Sequence, residues 1–308
     1  TEAIRQYYTA RGYARTGVRP VFNARISPAP GEGVLDVAFE VSEGSLVHVR
    51  NIFVTGNSIT KEKVIRRELV IFPGDVLAER MVTTSENRLK NLGYFSKVTT
   101  RDEATPKADE TDLVFDVEEQ RTGQFMVGGG FSSADKFLGY FEIGEGNFDL
   151  GSWPPKGAGQ KLKLRGQFGT RTTMGELSFV EPWFLDRPLT LGIDLFSDQI
   201  RYDEYARKNV GGAVTIGMPF RYFFDRWNLR YCIEELEVGN VADTNEYTRI
   251  TGDLAGEPYY FNPTNLLKSS LTIILDRDAR DNPFFPNRGH KVNVSAFLAG
   301  GFLGGDEN

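Results

Sequence analysis

The chain has 308 residues, 40% of them hydrophobic, enough to bury a sizeable core and too many for wholesale disorder. A formal charge of -6 and a pI near 5.2 give little support to a nucleic-acid partner. One cysteine cannot close an internal disulfide, and it lies in no spacing that could hold zinc. No apolar run reaches the roughly 18 residues of a spanning helix, which leaves open a crossing made by strands.

In chain order, the opening TEAIRQYYTARGY reads as the middle of a helix with no initiator Met, so the chain is expected to be part of something longer. YYTARGY (Tyr7 to Tyr13) followed by LDVAFEV (Leu35 to Val41) is echoed by RLKNLGYF (Arg88 to Phe95) followed by TDLVFDV (Thr111 to Val117). Each pair reads as a helix end, a glycine suited to its C-terminus, and a two-stranded hairpin. Between them VRNIFVTGN predicts a strand, and ITKEKVIRREL a short helix with Thr60 as N-cap. FPGD predicts a turn, and Ala78 to Leu92 a second helix with Met81, Val82, Leu89 and Leu92 near one face.

Residues 46–120 thus read as a complete β-α-α-β-β module, a small sheet covered by two helices, and 1–45 as the last helix and hairpin of a preceding copy. Such a sheet often leaves an edge to which another extended chain can add. Lys97 to Thr100 and Asp112 to Val117 are candidates for that edge, or simply strands that hold the sheet together.

After Arg121 the helical signal stops, and nine strand-like stretches follow through residue 308. Several alternate cleanly. Leu162, Leu164 and Phe168 oppose Lys161, Lys163, Arg165 and Gln167; Leu229, Tyr231 and Ile233 oppose Asn228, Arg230, Cys232 and Glu234; Val292, Val294, Ala296 and Leu298 oppose Lys291, Asn293, Ser295 and Phe297. Alternation alone fits a soluble sandwich or a membrane barrel. Strands of bilayer-crossing length, charges on the polar face, and aromatics near strand ends (EPWFL, FRYFFDRW, NPFFP) favour the barrel. Asp198 to Asn209 and Gly239 to Thr264 then read as far-side loops, and EPWFLDRP and PFRYFFDR as near-side turns, with GNFDLGSWPPKGAG rather long for one.

Enzymatic readings fare poorly, and no catalytic, cofactor or metal residue is expected. DRDARD lacks the EF-hand positions and their closing glutamate. GEGNFDLG and VGGGFSS lack the lysine and helix of a phosphate loop. His48 and His290 sit in poor contexts for a triad, and only geometry could exclude Asp276 with Asp281 as a carboxylate pair.

VRNIFVTGNSITKEKVIRREL, RLKNLGYFSKV and TDLVFDVEEQRTGQFMVGGGFSS together resemble the final POTRA domain of the BamA family of outer-membrane assembly factors, running into its first barrel strand. DRDARDNPFFPNRGHKVNVSA resembles that family's turn between the eighth and ninth barrel strands. The resemblance spans essentially the whole chain and marks the POTRA-plus-barrel superfamily. It implies α+β POTRA modules followed by an antiparallel transmembrane β-barrel, with nine of about sixteen strands present. The family's Arg-Gly-aromatic lumen loop and its closing strand are not matched, RYFF and NRGH being out of context.

The resemblance further implies an outer-membrane protein of a Gram-negative bacterium, its POTRA modules in the periplasm, which folds and inserts β-barrel proteins without nucleotide, metal, cofactor or covalent chemistry. Implied partners are unfolded outer-membrane protein clients, accessory lipoproteins of the assembly complex and outer-membrane lipids, lipopolysaccharide included. The seam falls on Gln124, Phe125, Met126, Val127, Gly128, Gly129, Gly130 and Phe131, where three glycines are expected to weaken side-chain packing or, alternatively, to serve strand curvature. Arg121 and Thr122 fall at the hinge between module and barrel, where they are expected to set its angle or, alternatively, to be an ordinary linker. Trp183, Phe184, Phe223, Phe224, Trp227, Phe284 and Phe285 fall on the periplasmic rim as interfacial anchors. A two-partner secretion transporter and a soluble β-rich binding or adhesion module are the alternatives.

Overall fold

The structure, a computed structural model, describes residues 1–13, 15–26, 33–131, 136–203, 205–220, 225–239, 265–280 and 286–306. It divides into two compact units: Thr1–Thr122 with Lys156–Ala158, and the rest of the chain.

The first unit opens with α1 (Glu2–Thr9) and the antiparallel hairpin of β1 (Gly17–Ile26) and β2 (Gly33–Ser42). Alternation puts the register pairs Val18/Val41, Pro20/Phe39 and Phe22/Val37 on one face, and Phe22, Val37 and Phe39 are exposed there. β3 (His48–Thr55), α2 (Glu62–Arg66), α3 (Glu79–Asn91), β4 (Phe95–Ala104) and β5 (Glu110–Glu119) follow. The sheet order is β3-β5-β4, with β5 parallel to β3 and antiparallel to β4.

Asp112 to Val117 therefore lies in the central strand and is no docking edge. Its near-continuous run Leu113-Val114-Phe115 is the signature of a strand covered on both faces. Lys97 to Thr100 lies in β4, an outer strand. Beneath the helices Val49, Ile52, Val64, Ile65, Leu89, Val98, Leu113, Phe115 and Val117 form a closed core, against which Met81, Val82 and Leu92 pack. On the other face Arg50 reaches Asp112 with two N–H groups, and the Asn51 N–H donates to the same carboxylate at 3.0 Å.

Thr60 does not cap α2: the cap position is Lys61, without a side-chain bond. The Thr60 N–H donates to Glu119 at 2.6 Å and its hydroxyl bonds the same carboxylate, a charged acceptor that engages the side chain otherwise available as a cap.

The second unit is one antiparallel sheet in chain order: β6 (Gly123–Gly130), β7 (Leu138–Phe148), β8 (Gln160–Gly169), β9 (Thr172–Glu181), β10 (Thr190–Arg201), β11 (Ala206–Pro219), β12 (Arg226–Gly239), β13 (Asn265–Asp278) and β14 (Lys291–Ala299). β6 and β14 are its edges. Asp198 to Asn209, expected as a far-side loop, is mostly strand: β10 and β11 pair as far as Arg201 and Ala206, and Tyr202 and Tyr205 stack at the turn. Asp198, Arg207 and Lys208 gave that stretch the polarity of a loop, yet Asp198 and Arg207 pair at 3.5 Å across two paired strands. Among the described residues no helix is long and apolar enough to cross a membrane, a statement that does not bear on strands.

Candidate functional site

Register assigns the two faces of the large sheet. One row across it reads Leu164-Leu177-Leu195-Gly212-Ile233, and the adjacent row Arg165-Glu176-Phe196-Gly211-Glu234-Lys268. On the first face the large apolar residues stand open, Leu195 at 54% and Val214 at 43%. The second is knitted by polar side chains. Lys163 meets Glu176 at 3.1 Å, Ser178 donates to Asp194 at 2.6 Å while Arg230 pairs with the same carboxylate, and Asn209 and Lys268 hold Glu234 at 3.0 and 2.9 Å. Lys163, Glu176, Asp194, Asp198 and Arg230 line a recess of about 480 Å³. Paired charges on one face and uncovered aliphatics on the other suit a wall with water on one side and hydrocarbon on the other.

The predicted seam residues Gln124 to Gly130 lie in β6, with Phe131 just past its end. Phe125 and Val127, 67% and 72% exposed, share the apolar face, in register with Ile143 and Phe141. Met126 and Gly128 face the other way, opposite Glu142 and Tyr140. The three glycines differ: Gly130 faces open space, Gly129 only a backbone oxygen, and Gly128 a tyrosine ring.

Three residues, Gln120 to Thr122, separate β5 from β6, with Arg121 exposed and Thr122 half-buried. What precedes them is firmly held. The Glu119 carboxylate accepts the N–H groups of Ser58 (2.9 Å), Ile59 (2.9 Å) and Thr60 and the Ser58 hydroxyl (2.8 Å). Gln120 donates through its N–H to Tyr94 O and through Nε2 to Gly93 O, both at 2.9 Å. Burial pushes the Glu119 carboxyl up, but the Thr60 N–H, the Thr60 and Ser58 hydroxyls and the Ile59 N–H outweigh it and hold the group below its ordinary range. Gly56, at φ +86°, brings this loop against the Val117 carbonyl so closely that no side chain would fit. The sequence reading missed Glu119, since its partners lie some 60 positions away.

Of the rim residues, Trp183 and Phe184 are half-buried in the turn between β9 and β10. The Phe184 N–H donates to Leu189 O at 2.8 Å. The residue this turn displays is Leu185, 72% exposed and left-handed at φ +58°, with Asp186 also left-handed at +55°. Trp227 lies half-buried in β12, in register with Met218 and Leu275 on the apolar face. Phe223, Phe224, Phe284 and Phe285 lie outside the described residues. Trp153, in the long turn between β7 and β8, is 92% exposed and was not singled out from the sequence. Of the carboxylate pair weighed above, Asp276 is bonded by Asn228 and Asn293, and Asp281 lies outside the described residues. Among the described residues no cluster of His, Cys, Asp and Glu is arranged to hold a metal.

In the first unit, α3 and β4 flank a groove of about 370 Å³ lined by Val82, Thr83, Glu86, Thr100, Arg101 and Asp102. An α/β module with this groove, followed by an antiparallel sheet with one apolar and one charged face, is the plan of a POTRA-plus-barrel outer-membrane protein. Comparison with known proteins agrees. Residues 47–120 match the POTRA model, described as a surface antigen variable number repeat, and 156–308 match the Omp85 superfamily domain.

The chain is 26% identical over 306 residues to the outer membrane protein assembly factor BamA of Nitratidesulfovibrio vulgaris, covering 99% of this chain and 36% of that protein. It is 24% identical over 304 residues to BamA of Neisseria meningitidis, covering 93% and 35%. The structure of Haemophilus ducreyi BamA lacking POTRA domains 1–3 shares the fold, with a TM-score of 0.73 and 23% identity over 99% of this chain and 57% of that one. The chain carries a POTRA domain and an Omp85 superfamily domain and is BamA-like, spanning about a third of the length of these two curated relatives. It is thereby a Gram-negative outer-membrane protein with its POTRA module in the periplasm.

Proposed function

We propose that the full-length protein folds and inserts β-barrel proteins into the outer membrane, and that β6 is the strand on which clients are templated. The observation that carries this reading is β6 itself: the first strand of an amphipathic wall, at one side of the sheet and following a POTRA module directly. A client strand entering hydrocarbon must satisfy its backbone groups, and such an edge offers the matching row. Clients are unfolded outer-membrane proteins. The POTRA module receives them along β4, beside the α3 groove, as an added strand. Accessory lipoproteins and outer-membrane lipids, lipopolysaccharide included, complete the surroundings. Trp183, Phe184 and Trp227 anchor the rim, and Arg121 and Thr122 form the hinge. Residues 1–45 are the end of a preceding POTRA domain, whose remaining elements cover the exposed Phe22, Val37 and Phe39.

Site-specific cross-linking tests the seam. Single cysteines along 124–131 of the full-length protein are oxidised in cells during synthesis of a porin carrying cysteines in its strands. The expected cross-links are confined to 124–131; equal capture by cysteines in β10 or β11 would sink the reading.

A further inference from the structure

Three glycines of the large sheet lie directly opposite an aromatic residue of the neighbouring strand: Gly128 opposite Tyr140, Gly166 opposite Phe141, and Gly211 opposite Phe196. In each case the ring lies where a side chain would begin. A Cβ on residue 128 would come within 2.6 Å of the Tyr140 ring, and one on residue 211 within 2.8 Å of the Phe196 ring, both inside the 3.0 Å that real Cβ atoms respect. Gly166 meets the Phe141 ring more closely still. These rings reach over a neighbour's glycine and gain dispersion contacts there.

Two of the three rings are consecutive in β7. Consecutive residues of a strand point to opposite faces, so Tyr140 covers β6 on the charged face while Phe141 covers β8 on the apolar face. Phe141 also stacks on Phe168 of β8, ring centroids 6.2 Å apart at 19°. β7 is thus tied to each neighbour by a ring over a glycine, one on each face of the wall. Gly128 is, in consequence, a place where packing is supplied from the adjacent strand rather than missing.

We propose that Tyr140 is a positioning residue: it holds the inner edge of β6 in register on β7, so that β6, β7 and β8 move as one body while the outer edge of β6 exchanges strands. The assembly role rests on the seam reading given above; the mechanical coupling does not. A templating strand must stay bound on one side while it opens on the other, and backbone bonds alone do not distinguish its two edges. The ring over Gly128 does.

Amide hydrogen exchange on the full-length protein in lipid nanodiscs tests the coupling, with peptides spanning 123–131 as readout and peptides from β10 to β12 as the reference for an intact sheet. Tyr140→Ala is expected to speed exchange in 123–131 by about 2- to 10-fold and leave the reference unchanged. Tyr140→Phe keeps the ring and is expected to behave as wild type. Gly128→Ala displaces the ring, so it matches Tyr140→Ala, and the double variant is no faster than either single one. Unchanged exchange in both single variants, additive effects, or a Tyr140→Phe variant as fast as Tyr140→Ala would overturn the proposal. Client assembly in cells is scored on the same variants. Faster β6 exchange with slowed assembly, rescued by Tyr140→Phe, is the expected pairing. Faster exchange with normal assembly upholds the coupling but removes the seam reading and the role in assembly.

Discussion

In the POTRA sheet, Phe115, Leu113 and Val98 lie under two helices and are at most 2% exposed; in the nine-stranded sheet, Leu195 and Val127 alternate just as regularly and stand 54% and 72% exposed. Each sheet has a strongly apolar face, and the two present it to different media. The POTRA module closes its face with α2 and α3, building a core from within its own sequence. In the large sheet Ala213 is the sole buried hydrophobic residue among those described, and the opposite face is filled by cross-strand ion pairs. Alternation therefore reports that a strand is two-faced, and the partners of its polar residues report which medium the apolar face meets.

Truncating the core is the most severe way to test that contrast. Phe115→Ala removes a fully buried ring from the central strand and is expected to cost the POTRA module about 3–5 kcal/mol, since the cavity adds to the lost transfer energy. Denaturant unfolding of the membrane-reconstituted protein, followed by exchange in β3 to β5, measures it. Leu195→Arg reverses the question. It leaves no cavity, yet in a bilayer a cation there is expected to cost about 2–4 kcal/mol. The same change at Phe72, 56% exposed in a POTRA turn, is expected to stay within about 0.5 kcal/mol. Equal, small effects at both positions in lipid would mean that the outward apolar face meets water, and the barrel reading would fail.

How much of this was legible follows from the range of the interactions involved. The nine strands were readable because alternation is a local property that survives in each of them. The central place of β5 was not, because its parallel pairing with β3 joins residues some 60 positions apart, such as Val54 and Phe115. The β10–β11 turn was overestimated because Asp198 and Arg207 look like loop residues until the strands are paired. At the seam, GGG was visible but not its meaning. Gly128 and Gly130 are the same residue type on the same face, and only the register, which puts Tyr140 opposite the first, distinguishes them. Leu185 was hidden by its backbone: nothing in PWFLDRP announces two consecutive left-handed residues that are not glycine.

A smaller expected effect than those of Phe115→Ala and Leu195→Arg lies where the POTRA sheet ends. Glu119 is the last residue of β5, and its carboxylate gathers the N–H groups of Ser58, Ile59 and Thr60. Because the folded state holds this carboxyl below its unfolded value near 4.5, the folded protein binds the proton less readily than the unfolded chain. The stabilisation is thus fully present above pH 4.5 and is lost as pH falls through the lower folded value. Exchange at the Ser58 to Thr60 amides, corrected for intrinsic rates, is expected to lose protection over that acidic window. Glu119→Gln keeps the shape but not the charge. It is expected to cost about 1 kcal/mol at neutral pH and to flatten the pH profile of those amides. A glutamine variant with the same acid profile as wild type would assign the transition to another group. The carboxylate would then be a bystander to the loop, and the fixed end of β5 ahead of Arg121 and Thr122 would have to come from Gln120 and its bonds to Gly93 and Tyr94.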